Sequence, residues 1–194
     1  MFRGSNWISD WCKAELFSLR VGEICSTIPV RGSWEPNDRV AFSMASFRLA
    51  KEHHSSIHLL ISNDKSASAR ALTRPMLEAA LRVIWIAEDA GEQEIINLTK
   101  GRGIVPLLGE LNACLKKRGE PMGSRFQGLL HSFTHGGHMA LGAQFLEGEK
   151  LEQSNAAIVA VAGTALAGAG YMISSLIGRQ DLIETLTITI PDYD

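Results

Sequence analysis

Ser154–Gly178 reads SNAAIVAVAGTALAGAGYMISSLIG, a run without one charged side chain. Its length would cross a bilayer. Its composition is Ala, Gly, Ser and Thr with few Leu and no Phe, which gives a weak transfer energy but lets neighbouring helix backbones come close. The reading favours a helix from about 152 to 177, buried in a core or subunit interface, over a membrane span. A central helix of this kind has to be covered by the apolar faces of others.

Helical spacing of apolar residues recurs through the chain. Ile8, Trp11, Cys12, Phe17, Leu19, Val21, Ile24 and Cys25 mark a first helix over about 6–27, with Ser9-Asp10 as an early cap. Pro29, Gly32 and SWEPND break it, and Pro36 suits the first turn of a long second helix to about Ser62. Val40, Phe42, Met44, Phe47, Leu49, Ile57, Leu60 and Ile61 form most of its apolar stripe. Asn63-Asp64 ends it and offers a cap to the third helix, KSASARALTRPMLEAALRVIWIAEDA, which stops at Gly91. Pro75 has no amide hydrogen, so this helix either kinks there or begins near Arg74. A short helix over Glu92–Thr99, a break at 101–103 and a helix over 104–117 follow. The tail DLIETLTITIPDYD alternates Leu186, Ile188 and Ile190 with Thr185, Thr187 and Thr189, a strand period that predicts an extended arm. The expected fold is all-α: one helical bundle over 1–194 with a short extended C-terminal tail, without repeats or linkers.

The 194 residues, 45% hydrophobic, suffice for one domain with a substantial core, and a net charge of −2 with pI near 6.3 gives no global field for nucleic acid or anionic membrane. Lys116, Lys117 and Arg118 have a helix-dipole explanation at a helix end. Cys12, Cys25 and Cys114 are odd in number and scattered, which fits thiols in a reducing cytoplasm rather than a disulfide or zinc framework. Arg3, Asp10, Lys13 and Glu15 interrupt the N-terminus, so it does not read as a secretion signal, and the expected location is cytoplasmic.

Polar chemistry gathers in two places. Arg74, Glu78 and Arg82 stand at i, i+4 and i+8, so one carboxylate can bridge two guanidiniums, either as a surface ladder or as a rigid clamp for phosphate or carboxylate in a crevice. SRFQGLLHSFTHGGH at 124–138 puts His131 and His135 on one helical face, with Ser132 between them, Arg125 before them and Gly136-Gly137 stopping the helix. Imidazole is the natural acid or base near neutral pH, and arginine stabilises phosphoryl charge, a combination suited to metal-independent RNA cleavage. A metal reading takes His131, His135 and His138 with Glu78, or with the same-face pair His54 and His58. HExxH, paired Glu-x-x-His, phosphate-loop and GxSxG motifs are absent, and no cofactor is expected.

ARALTRPMLEAALRVIWI and LLHSFTHGGH together resemble helical bacterial domains of unknown function with an R-x-x-x-E helix and an S-x-x-[VT]-H-G helix end. Those domains are similar to divergent members of the HEPN (higher eukaryotes and prokaryotes nucleotide-binding) superfamily. The matching positions are Arg74 and Glu78, then Ser132, His135 and Gly136. The resemblance implies a HEPN-like bundle, often a homodimer, and in active members a ribonuclease with an arginine four to six residues before a histidine. Arg125 and His131 have that spacing, with Phe126 where active members carry a polar residue. Inactive relatives serve as binding partners or sensors in defence and toxin-antitoxin systems.

The expectation is therefore that Arg74, Glu78, Arg82, Ser132 and His135, with Arg125 and His131, line one polar crevice. A non-catalytic binding or sensing module stands slightly ahead of a ribonuclease using Arg125, His131 and His135, and a metal-binding bundle is the third reading. Expected partners are a second copy of the chain, RNA or a nucleotide, or another protein, and no membrane.

Overall fold

The computed structural model describes residues 11–29, 37–103, 105–117, 119, 124–135, 137 and 141–189, and for 124–127 and 129 the backbone alone. Helices α1 (Trp11–Ser26), α2 (Asp38–Ser62), α3 (Ser66–Ile84), α4 (Glu92–Thr99), α5 (Leu108–Lys117), α6 (Ser124–Thr134), α7 (Gly148–Leu176) and α8 (Gln180–Thr189) follow in order. Among the described residues there is no strand, and the fold is an all-α bundle.

Local chemistry sets the boundaries. Asn37 caps α2: its side chain accepts from the Val40 amide at 2.8 Å, and Asp38 faces the positive end of the dipole. The buried side of α2 comes round every three or four residues, through Val40, Met44, Phe47, His54, Ile57 and Ile61. Asn63 closes the helix by donating to the Leu59 carbonyl, and Asp64 turns the chain at a φ of 58°. Pro75 does not delimit α3, which passes through it from Ser66. A π-helical turn, Trp85–Asp89, ends this rod, and Arg39 of α2 fastens it by donating to the carbonyls of Ile86 and Ala90. Glutamates cap the next two helices, Glu94 accepting from Gly91 N–H and Glu110 from Leu107 N–H.

The main core joins α1, α2, α3, α7 and α8, with Phe47, Ile57, Met76, Leu166, Ile173 and Leu186 at its centre. A second cluster holds the far end of α3, its π-helical turn, α4, α5 and Leu130 of α6. Helix α7 is the one described helix long and apolar enough to cross a membrane, and 61% of its most apolar window is buried within the protein.

The small residues of α7 act at its seam with α1. A Cβ on Gly163 would stand 2.9 Å from the Cα of Ser18, and one on Gly170 would stand 2.7 Å from the sulfur of Cys25. Both pairs advance by seven residues on each helix, so α1 and α7 run in the same direction. Cys25 donates its S–H to the Leu166 carbonyl at 3.7 Å, and burial pushes the thiol up to about 12, against a small opposing effect of Lys51.

The tail corrects the expected extended arm: residues up to Thr189 form α8. Leu182 and Leu186, four apart, bury themselves on the main core, and the Thr185, Thr187 and Thr189 hydroxyls each donate to the carbonyl four residues back. Helical burial of two leucines outweighs the β preference of the threonines. One motive for a dimer, a strand in need of a partner, goes with it. Residues 190–194 lie outside the described part, as do Ser9, Asp10 and Pro36.

Candidate functional site

On α3, Arg74 Nε donates to one oxygen of Glu78 at 3.0 Å and Arg82 Nη2 donates to the other at 3.3 Å. The three side chains are 20%, 14% and 21% exposed, so this is a partly covered cluster and not a solvated ladder. Arg82 is also tied down by Nε, which donates to the Pro106 carbonyl at 3.4 Å. One carboxylate between two guanidiniums leaves the group with a net positive charge.

Helix α6 packs on α3 and brings His131 to Arg74, whose Nη1 donates to His131 Nδ1 at 2.9 Å. A guanidinium can only donate, so Nδ1 uses its lone pair here and the ring proton sits on Nε2. Held this way, His131 presents its Nε2–H outward as a donor. The catalytic arrangement is the reverse, with a carboxylate or carbonyl on one nitrogen and a bare lone pair on the other. The His135 ring lies 4.5 Å from the His131 ring, tilted by 49°, and both residues are exposed.

The sequence-selected residues thus divide. Arg74, Glu78, Arg82 and His131 form one hydrogen-bonded chain, and His135 joins it through its ring contact. Ser132 is buried at the helix end, where the Gly137 N–H donates to its carbonyl at 2.8 Å and a Cβ on Gly137 would meet its Oγ at 2.6 Å. Arg125 lies on α6 with its side chain outside the described part, as do the Phe126 side chain, Gly136 and His138. Among the described residues no group of three or more His, Cys, Asp or Glu is placed to hold a metal ion.

His54 and His58 belong to a different cluster. Both direct Nε2 at the Ser18 hydroxyl of α1, each at 2.8 Å. A serine hydroxyl can accept from one ring and donate to the other, so one Oγ can serve both. His54 is 3% exposed, and burial, then the neighbouring His58, holds its pKa down at about 3 in spite of the Ser18 hydrogen bond. Gly22 makes the room: a Cβ there would stand 3.0 Å from the His54 ring. Two neutral imidazoles satisfied by one serine make a core contact, not a ligand set.

Residues 47–104 match a family of unknown function (DUF6988). The match runs from the middle of α2 through α3 and α4, so it contains Arg74, Glu78 and Arg82 but neither His131 nor His135. No match links the chain to the HEPN superfamily. None of the curated proteins and none of the solved structures matches the chain.

Proposed function

We propose that this chain is a non-catalytic binding module that holds an anionic group, a phosphate of RNA or of a nucleotide, at the edge formed by Arg74 and His131. The supporting observation is the hydrogen bond from Arg74 Nη1 to His131 Nδ1. It fixes one guanidinium between a carboxylate and an imidazole, and it turns His131 Nε2–H into a second donor beside a net positive group. Donors held in place by their neighbours bind an anion at low cost in side-chain ordering, while the same bond occupies the lone pair that acid–base chemistry needs. A sensing role in a defence or toxin-antitoxin setting fits such a module.

The test is a short labelled RNA titrated with purified protein in EDTA. The expected outcome is saturable binding without cleavage, weakened at least about tenfold, or 1.4 kcal/mol, in Arg74→Gln. Cleavage in EDTA that is lost in His135→Ala with the fold intact would replace this reading with the ribonuclease. Absence of binding to RNA and to nucleotides alike would overturn it.

A further inference from the structure

Arg70 precedes Arg74 on α3 by one turn, in the register that continues to Glu78 and Arg82. It is only 2% exposed, yet no carboxylate is paired with it among the described residues. Its Nε donates to Ser154 Oγ of α7 at 3.3 Å, and its Nη2 has no hydrogen-bond partner. The next residue on α7, Asn155, is 8% exposed and has an equally unpartnered Oδ1. Burial without a counter-charge lowers the Arg70 pKa, the direction expected of a cation that lacks its anion.

Buried charges in proteins are almost always paired, and buried amide oxygens almost always accept a hydrogen bond. The two unmet needs are complementary to a hydrogen-phosphate group, whose charged oxygens accept from Nη2 and whose hydroxyl donates to Oδ1. Helices α6 and α7 both pack on α3. Arg74 leans to α6 and Arg70 to α7, and they leave α3 about 6 Å apart along its axis. The two guanidiniums are thus one helical turn apart on α3, a separation that two linked oxyanions can span.

We infer that the ligand of the Arg74–His131 edge carries a second, linked oxyanion, taken by Arg70 with Asn155, so that its class is a diphosphate rather than a single phosphate. This rests on the reading of the Arg74–His131 edge as an anion site.

Isothermal titration of the full chain with inorganic phosphate and with inorganic pyrophosphate, both in EDTA, separates the two ideas. The expected result is that pyrophosphate binds at least about tenfold tighter than phosphate, that Arg70→Met removes the difference but keeps phosphate binding, and that Arg74→Gln weakens both. A thermal melt of unliganded Arg70→Met gives a second readout, expected to be no lower than wild type, because the variant removes a charge that lacks its partner. If that variant fails to fold, Arg70→Lys, which keeps the charge and loses the planar fork, should still shrink the pyrophosphate preference. Equal affinities in the wild type, a preference that survives both Arg70 variants, or a melt of folded Arg70→Met well below wild type would overturn the second oxyanion. The last outcome would mean that protein and water alone satisfy Arg70. If neither probe binds the wild type, the reading of the Arg74–His131 edge falls with it.

Discussion

Gly163 faces the backbone of Ser18 so closely that a methyl group on it would stand 2.9 Å from the Ser18 Cα. A flexible side chain could swing away from such an intrusion, but a helix backbone has to shift as a whole. Gly163→Ala is therefore expected to lower stability by about 1–3 kcal/mol, as overpacking does. Gly168→Ala is the control: a Cβ there meets nothing within 4 Å, and the gain in helix propensity, up to about 1 kcal/mol, should raise the melting temperature. Denaturant melts of the two variants should move in opposite directions.

Acid should act on the serine–histidine contact between α1 and α2. His54 titrates near 6.5 in the unfolded chain and at about 3 in the fold. Above 6.5 both states are neutral and the fold keeps its full stability. As the pH falls from there toward 3 the unfolded chain alone binds the proton, so stability declines by about 1.4 kcal/mol per pH unit, with an upper limit of about 5 kcal/mol. Urea midpoints measured between pH 7 and pH 4 should fall more steeply for the wild type than for His54→Gln; parallel curves would count against the assignment.

The three thiols should react in a fixed order. Cys12 is exposed, Cys114 half-buried and Cys25 buried, with its thiol pushed up to about 12. Since the thiolate is the nucleophile, a colorimetric thiol reagent at pH 8 should modify Cys12 first and reach Cys25 only in denaturant. Rapid native labelling of Cys25, located by peptide mass mapping, would contradict the packing of α1 on α7.

The Arg74–His131 bond has a spectroscopic signature. Two-bond nitrogen–proton spectra of the histidine rings should show His131 as the Nε2–H tautomer in the wild type and as a mixture in Arg74→Gln. Glu78→Gln should cost about 1–3 kcal/mol, because it leaves two partly covered guanidiniums sharing a neutral amide.

Helix α7 and the stripe of α2 were legible in the sequence because burial leaves a direct mark: no charge over a long run in one, apolar residues every third or fourth place in the other. The Arg74–Glu78–Arg82 cluster was legible for a similar reason, since helical spacing alone makes those neighbours. Arg70 has the same spacing, and the signal for it was present. The bond between Arg74 and His131 was not legible, because it joins residues 57 apart through the packing of α6 on α3. Ser18 was missed because it is buried by what crosses it: Gly163 has no side chain, so α7 comes down onto a serine that then meets two histidines. The tail was misread since alternation of Leu or Ile with Thr also satisfies a helix once Leu182 and Leu186 have a core to enter.

The side-by-side course of α1 and α7 bears on the order of events during folding. Cys25 and the Leu166 carbonyl that it contacts are 141 residues apart in a chain of 194, so this seam closes most of the chain into a loop. Loop-closure entropy then leads us to expect that the seam forms after the helices between have docked, beyond the rate-limiting barrier. A clash built into it at Gly163 should then leave the refolding rate nearly unchanged and appear almost wholly as faster unfolding.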